Sequence, residues 1–331
     1  MNVNTYLKEE LEFIEIKNDL NLRVIFCDLG ASIFNIYFNN ELLTRNVKNI
    51  KDYKLPNCYY GKTIGRTSNR LCGPNIFIGS NKYYIKPNEC NNILHGGSEG
   101  LSTKRFSYDI NIHNEYVQVS FKYLSKHLEG GYPGNVLIKV DYFVYRLSDC
   151  VAIYYDASCD EDTILSLTNH TYFTLGESDI SNLELFIRGK HYLDVDKSTL
   201  LPKTISTINK TMDFTRYKQI IKDINDESLK GKMLNGYDHF WYFDNNTINK
   251  VNVSIRSKKY QLNIYSDFEG TQIYTSNFRS SFKLDNNSSG IRDSVAIEPS
   301  DSFFKQNILL KDHQYKRKII YQFNKIKTDK K

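Results

Sequence analysis

Apolar and polar residues alternate with a period of two through most of this chain, and nothing else in the sequence constrains the fold as strongly. The runs Leu22–Tyr37 (broken by a turn at 28–32), Tyr116–Tyr123, Val136–Leu147, Cys150–Cys159, Thr163–Thr168, Val251–Arg256, Gln261–Tyr265, Gln272–Thr275 and Val295–Glu298 all follow it. Side chains of a strand point alternately to its two faces, so each run predicts a strand with one face inward. Helical spacing is rare, and Thr215–Ile224 and Glu227–Met233 are the best short candidates. Many strands without regular strand–helix alternation predict an all-β chain, a large antiparallel β-sandwich with few short helices. No linker, fixed-period repeat or composition step divides the 331 residues, so 1–331 reads as a single sandwich domain.

Charge and cysteine usage exclude several functions. The net charge of +6 is spread along the chain, and the densest basic stretch is its end, where residues 325–331 read as a flexible, solvated tail. Nucleic-acid binding, which calls for a clustered basic face, is not expected. The six cysteines form no CxxC pair and do not match zinc spacing. The first ten residues hold no apolar signal core, and no run approaches the ~18 apolar residues of a membrane helix. Free thiols in the cytoplasm and no membrane association are therefore expected. Gly61-Lys62-Thr63 resembles the end of a phosphate-binding loop, but Pro56 stands where its first glycine belongs. The GxSxG elbow of α/β-hydrolases is missing as well.

The residues suited to chemistry fall in a few short clusters. His170 follows Thr168-Asn169, and Glu298 ends the run Ser294–Glu298 just before Pro299. An imidazole and a carboxylate together form an acid/base pair able to move a proton between two oxygens of one small molecule. Alternation puts Glu298 and Ala296 on one strand face, and a shielded carboxylate there would titrate high. His95 precedes Gly96-Gly97, Arg70 follows Asn69, and Asp238 lies in Gly236-Tyr237-Asp238-His239. A guanidinium offers five donors in a fixed fork, suited to vicinal hydroxyls. Taken singly, each of these residues fits an ordinary structural role equally well. The remaining histidines, His113, His127, His191, His239 and His313, read as surface or structural.

Taken in order, the clusters resemble the aldose 1-epimerase (galactose mutarotase) family. Gly65-Arg66-Thr67-Ser68-Asn69-Arg70, Asn92-Ile93-Leu94-His95-Gly96-Gly97, Gly131-Tyr132-Pro133-Gly134 and Leu167-Thr168-Asn169-His170-Thr171-Tyr172-Phe173 come in family order. So do Met212-Asp213-Phe214, Gly236-Tyr237-Asp238-His239 and Tyr274-Thr275-Ser276-Asn277-Phe278, and the likeness covers roughly residues 10 to 320. The resemblance implies a sandwich with an open sugar cleft, no metal or organic cofactor, and a free monosaccharide such as galactose or glucose as substrate. It implies Glu298 as general base, His170 as general acid and His95 as the second histidine near the ring oxygen. Arg70 and Asp238, with Asn69, would hold the sugar, and Phe278 or Trp241 would shelve its apolar face. A monomer or homodimer is expected. Glu298-Pro299-Ser300-Asp301-Ser302 departs from the family pattern after the glutamate, which bears on the local sugar contacts. Two alternatives stay open: an enzyme for a phosphorylated hexose using Arg66, Lys104 or Arg105, and a catalytically silent sugar binder of the same fold.

Overall fold

Strands form where the alternation is strongest. The computed structural model describes residues 1–245 and 247–326. Among them, three large sheets of nine, seven and five strands are accompanied by short two-stranded ladders. The five-stranded sheet includes Asn2–Lys8 and Leu11–Lys17, which the sequence reading passed over, followed by Leu22–Cys27, Ser32–Phe38 and Glu41–Leu42. The nine-stranded sheet runs Ser107–Ile112, Tyr116–Ser125, Val136–Tyr145, Cys150–Cys159, Gln314–Lys325, Tyr260–Ser266, Val253–Arg256, Glu184–Ile187 and Lys218–Gln219. Its C-terminal strand thus sits between segments far apart in sequence. The seven-stranded sheet runs Pro202–Thr207, His191–Val195, Asp238–Tyr242, Gly270–Tyr274, Val295–Ser300, Tyr172–Phe173 and Thr44–Arg45. The pairings are antiparallel, as the alternation predicts.

One apolar cluster joins the three sheets. Ile14, Val24 and Ile36 come from the first, Val140, Ile153, Ile319 and Tyr321 from the second, and Trp241, Ile273, Val295 and Ile297 from the third. Burying such side chains is the main term that holds the sheets face to face, about 1.5–3 kcal/mol for each large one. Because Val295 and Ile297 enter this core, alternation leaves Ala296 and Glu298 on the opposite face of the same strand.

Four expectations need correcting. Neither helical candidate is a helix: the first gives the strand Lys218–Gln219 and a 3-10 turn at Ile220–Lys222, and the second a 3-10 turn at Glu227–Leu229. Ile220 and Ile224 are buried one helical turn apart, and Leu229 is buried out of that phase. However, Asp226 turns the chain between them by accepting from the Ser228 N–H at 2.8 Å. The α-helix Ile50–Tyr53, a single turn, was not foreseen. The run Thr163–Thr168 is split, Thr163–Ile164 pairing with Ile308–Leu309 and Thr168–Asn169 with Thr63–Ile64. Glu298 does not end its strand, which continues through Pro299 to Ser300. The proline has no N–H to donate, and its carbonyl accepts from Thr168 Oγ1 at 2.8 Å. Of the predicted basic tail, Lys325 closes the last strand; residues 327–331 lie outside the described residues. No helix among the described residues is long and apolar enough to cross a membrane.

Candidate active site

The site is assembled from a clamped loop, a tight turn and one sheet face. Arg66 fixes the loop that carries Asn69 and Arg70. It is buried, and its guanidinium donates to Ser125 Oγ and to the carbonyls of Ser125, Lys126, Pro133 and Gly134. Every nitrogen of that fork is therefore engaged inside the protein. Asn69 then joins the loop to the His95 turn: its N–H donates to His95 Nδ1 at 3.3 Å, and its carbonyl accepts from the His95 N–H at 3.1 Å. Gly96 allows this turn to close. Its φ is +84°, and a Cβ there would lie 2.1 Å from the Gly65 carbonyl oxygen.

The seven-stranded sheet supplies the other half. Glu298 lies opposite Gln272, and Asp238 opposite Tyr274. Gln272 Nε2 donates to Asp238 Oδ1 at 2.6 Å. His170 sits between the pairs Thr168–Asn169 and Tyr172–Phe173. Its backbone is held on both sides, N–H to the Lys62 carbonyl and carbonyl from the Gly61 N–H, each at 2.9 Å. Its Nε2 comes 3.4 Å from Glu298 Oε1. Tyr172 stacks on the His170 ring at 4.9 Å between centroids, Tyr59 stacks at 5.9 Å, and His95 meets it edge-on at 5.1 Å. Together these groups line a cavity of ≈ 430 Å³ that also includes Asn69, Arg70, Glu89, Tyr274, Lys232 and Phe278.

Burial governs the electrostatics. Desolvation pushes the Glu298 carboxyl well above its ordinary value, and the Asp238 carboxylate adds to the effect against the opposing pull of Arg70. Desolvation also lowers the His170 imidazole to about 4. His95 is held well below the usual imidazole range by burial, and then by His170 and Arg70. The 3.4 Å contact has the geometry of an ion pair, yet burial opposes charge on either partner. Desolvation thus favours the uncharged form of each partner, the carboxyl being raised and the imidazole lowered. Asp238 is raised by burial and drawn back by Arg70 and Gln272. Arg70 is raised: the carboxylates of Asp238 and Glu89 outweigh the burial that opposes its charge.

His95, His170 and Glu298 each offer a ligand atom, all within 4.8 Å of one another. Their surroundings do not fit a metal. His95 Nδ1 accepts a hydrogen bond, which leaves the ring proton on Nε2, and His170 Nδ1 is buried with no hydrogen-bond partner among the described residues. Metal-bound imidazoles characteristically donate their second nitrogen to an acceptor.

All six residues singled out from the sequence (Asn69, Arg70, His95, His170, Asp238 and Glu298) line this one cavity. Arg70 and Asp238 form a long ion pair, Nη1 and Oδ2 being 3.8 Å apart and beyond hydrogen-bond reach, while Glu89 takes Arg70 in a bidentate grip at 2.6 and 3.0 Å. Trp241 is excluded as a sugar shelf, being fully buried in the core with Nε1 donating to the Met212 carbonyl. Phe278 lines the cavity and is 46% exposed. Lys104 and Arg105 pair with Glu129 and Asp28 away from it. Of the departure after Glu298, none of Pro299, Ser300, Asp301 and Ser302 lines the cavity, and Asp301 faces Arg317 at 3.0 Å. Of the other histidines, His239 is buried and the remaining four are exposed. Glu89, Gln272 and Tyr59 were missed. Gln272 was legible in principle, once its strand is paired in register with that of Glu298. No local pattern marks Glu89, because only the turn that follows it brings it to Arg70.

Fold and site together define an antiparallel sandwich with a buried imidazole–carboxyl pair in a cavity walled partly by aromatic rings. A family model described as aldose 1-epimerase matches residues 12–322, and the chain belongs to that family. It is 29% identical over 279 residues to the aldose 1-epimerase of Haemophilus influenzae, covering 81% of this chain and 79% of that protein. It is 26% identical to the human galactose mutarotase, covering 81% of this chain and 78% of that protein. The galactose 1-epimerase structure from Lactobacillus acidophilus superposes with a TM-score of 0.89 at 23% identity, covering 98% of both chains. The GalM/aldose epimerase homologue from C. elegans gives 0.84 at 24% identity, covering 95% of this chain and 99% of that one. At these identities the two structures attest the fold.

Proposed function

We propose that this chain is an aldose 1-epimerase, an isomerase that interconverts the α and β anomers of a free hexose such as galactose or glucose. The observation that carries this reading is the buried His170–Glu298 contact at 3.4 Å inside the cavity. Anomer exchange requires a proton to leave the C1 hydroxyl while another reaches the ring oxygen. Rotation about C1–C2 of the open aldehyde and reclosure then give the other anomer. Glu298 is the base at the C1 hydroxyl and His170 the acid at the ring oxygen, with His95 beside it. The pair enters ring opening with one proton, held on His170 while Glu298 is a carboxylate. Reclosure reverses each step, so the pair ends as it began. Asn69, Arg70 and Asp238 grip the hydroxyls remote from C1, which leaves C1 free to rotate. A well-placed acid or base contributes on the order of 10²–10⁴ in rate, enough for a reaction that already proceeds in water.

Support for a neutral sugar over a phosphorylated one comes from the cations. Arg66 is engaged by backbone carbonyls and Arg70 is held by Glu89, so neither guanidinium is left to a phosphate. The chain works as one sandwich domain, as a monomer or homodimer, and its six free cysteines support a cytoplasmic setting. Polarimetry of freshly dissolved α-D-galactose, α-D-glucose and α-D-glucose 6-phosphate tests the reading. Faster decay of rotation with the two free hexoses is expected. Acceleration confined to the phosphate ester would transfer the assignment to phosphosugars, and no acceleration with any sugar would leave a binding protein.

A further inference from the structure

Glu89 has no part in the proton transfers, yet it makes the closest charged contact in the cavity. Its carboxylate accepts from Arg70 Nε at 2.6 Å and from Nη2 at 3.0 Å, and the two side chains are 19% and 10% exposed. The turn that carries it is tied to Arg70 through the backbone. The Asn92 N–H donates to the Glu89 carbonyl at 2.8 Å, and Leu94 and Arg70 are cross-strand partners. A bidentate grip fixes the plane of a guanidinium as well as its position. The Nε–Nη2 edge is thereby engaged and Nη1 is turned toward Asp238, 3.8 Å away and outside hydrogen-bond reach. Both Nη1 and Asp238 Oδ2 therefore keep open positions toward a bound molecule. The charge balance points the same way. Arg70 faces two carboxylates, Glu89 and Asp238, and Lys232 is exposed, where water and salt weaken its field. An anionic sugar would meet a cation already matched.

We propose that Glu89 is a positioning and specificity-determining residue, which orients Arg70 toward the hydroxyls of a neutral sugar and makes the cavity discriminate against negatively charged sugars. This rests on the epimerase reading above, and the test separates the two. Galactose affinity is measured by NMR titration, and kcat for galactose and kcat/KM for glucose and glucuronate by polarimetry, in the wild type, Glu89→Gln and Glu89→Asp. Glu89→Gln keeps the shape and removes the charge. It should weaken galactose binding about tenfold, the scale of one misaligned charge-assisted hydrogen bond. It should leave kcat within about threefold and narrow the glucose-to-glucuronate preference about tenfold. Glu89→Asp keeps the charge but is one methylene too short for the bidentate grip. It should weaken galactose binding while keeping the preference. Thermal unfolding of each variant reports whether it is folded, and either folded variant decides its own half of the proposal. Unchanged affinity and preference in Glu89→Gln would overturn it. So would a fall in kcat at unchanged affinity, or an equal loss of preference in both variants. A wild type that binds galactose without accelerating mutarotation would sink the epimerase reading alone, and the titrations would still decide the role of Glu89.

Discussion

His170 and Glu298 are ordinary residues until burial changes what they do. In water the imidazole would titrate near 6.5 and the carboxyl near 4.3. Inside the cavity the order is inverted, with His170 lowered to about 4 and Glu298 raised by desolvation. The pair therefore holds one proton from about pH 4 upward, until Glu298 loses it. Below that range a second proton on His170 leaves no base; above it, no acid remains. We expect kcat/KM for galactose to be flat through neutrality with its acid limb near pH 4, the His170 value. A limb at pH 6–7 would show an imidazole titrating as in water and would refute the shared-proton pair. Glu298→Gln should cost on the order of 10²–10⁴ in kcat and largely spare KM. His170→Asn should do the same, and a polarimetric rate near wild type for either would discard its assigned role.

At the scale of the element, the site depends on register and on one turn. Gln272 faces Glu298 because their strands pair in that register. A slip of one residue would bring Val295 and Ile297 to the cavity and Glu298 into the core. The apolar core thus enforces the position of the carboxyl. The His95 turn depends on Gly96. Gly96→Ala puts a side chain at φ +84° and 2.1 Å from the Gly65 carbonyl, which should lower stability by at least ~1–3 kcal/mol. Since His95 is hydrogen-bonded to Asn69 across this turn, the variant should also lose turnover. Denaturant titration together with polarimetry checks both effects, and an alanine variant with wild-type stability would mean the turn has room to adjust.

At the scale of the molecule, one apolar cluster draws residues from all three large sheets. Cooperative unfolding follows if that cluster melts as a unit. The single tryptophan, Trp241, is fully buried in it and reports on the seven-stranded sheet, whereas far-UV circular dichroism averages over every strand. The two probes should give coincident denaturation curves. Separate midpoints would divide the chain into independent units and refute the one-domain reading. The C-terminal strand Gln314–Lys325 sits between Cys150–Cys159 and Tyr260–Ser266, so the sheet is closed by long-range pairing. Such topology folds slowly compared with local hairpins.

The sequence by itself determined the class of fold and the faces of the strands that alternate most clearly, because alternation is a local property; it passed over others, among them the long C-terminal strand Gln314–Lys325. It also marked the six residues that meet in the cavity, since each lies in a short pattern of its own. It misjudged 215–233, where Ile220 and Ile224 stand one helical turn apart yet belong to short turns, because spacing alone does not reveal how far a segment runs before a hydrogen-bonded aspartate turns it. Only the tertiary structure decided that Arg70 answers to Glu89, that Gln272 bridges to Asp238, that Trp241 is core, and that burial raises the Glu298 carboxyl while lowering the His170 imidazole. Each of these depends on contacts between residues distant in sequence and on the burial those contacts produce. A residue's neighbours in space set its charge and its partners, and the linear order leaves them open.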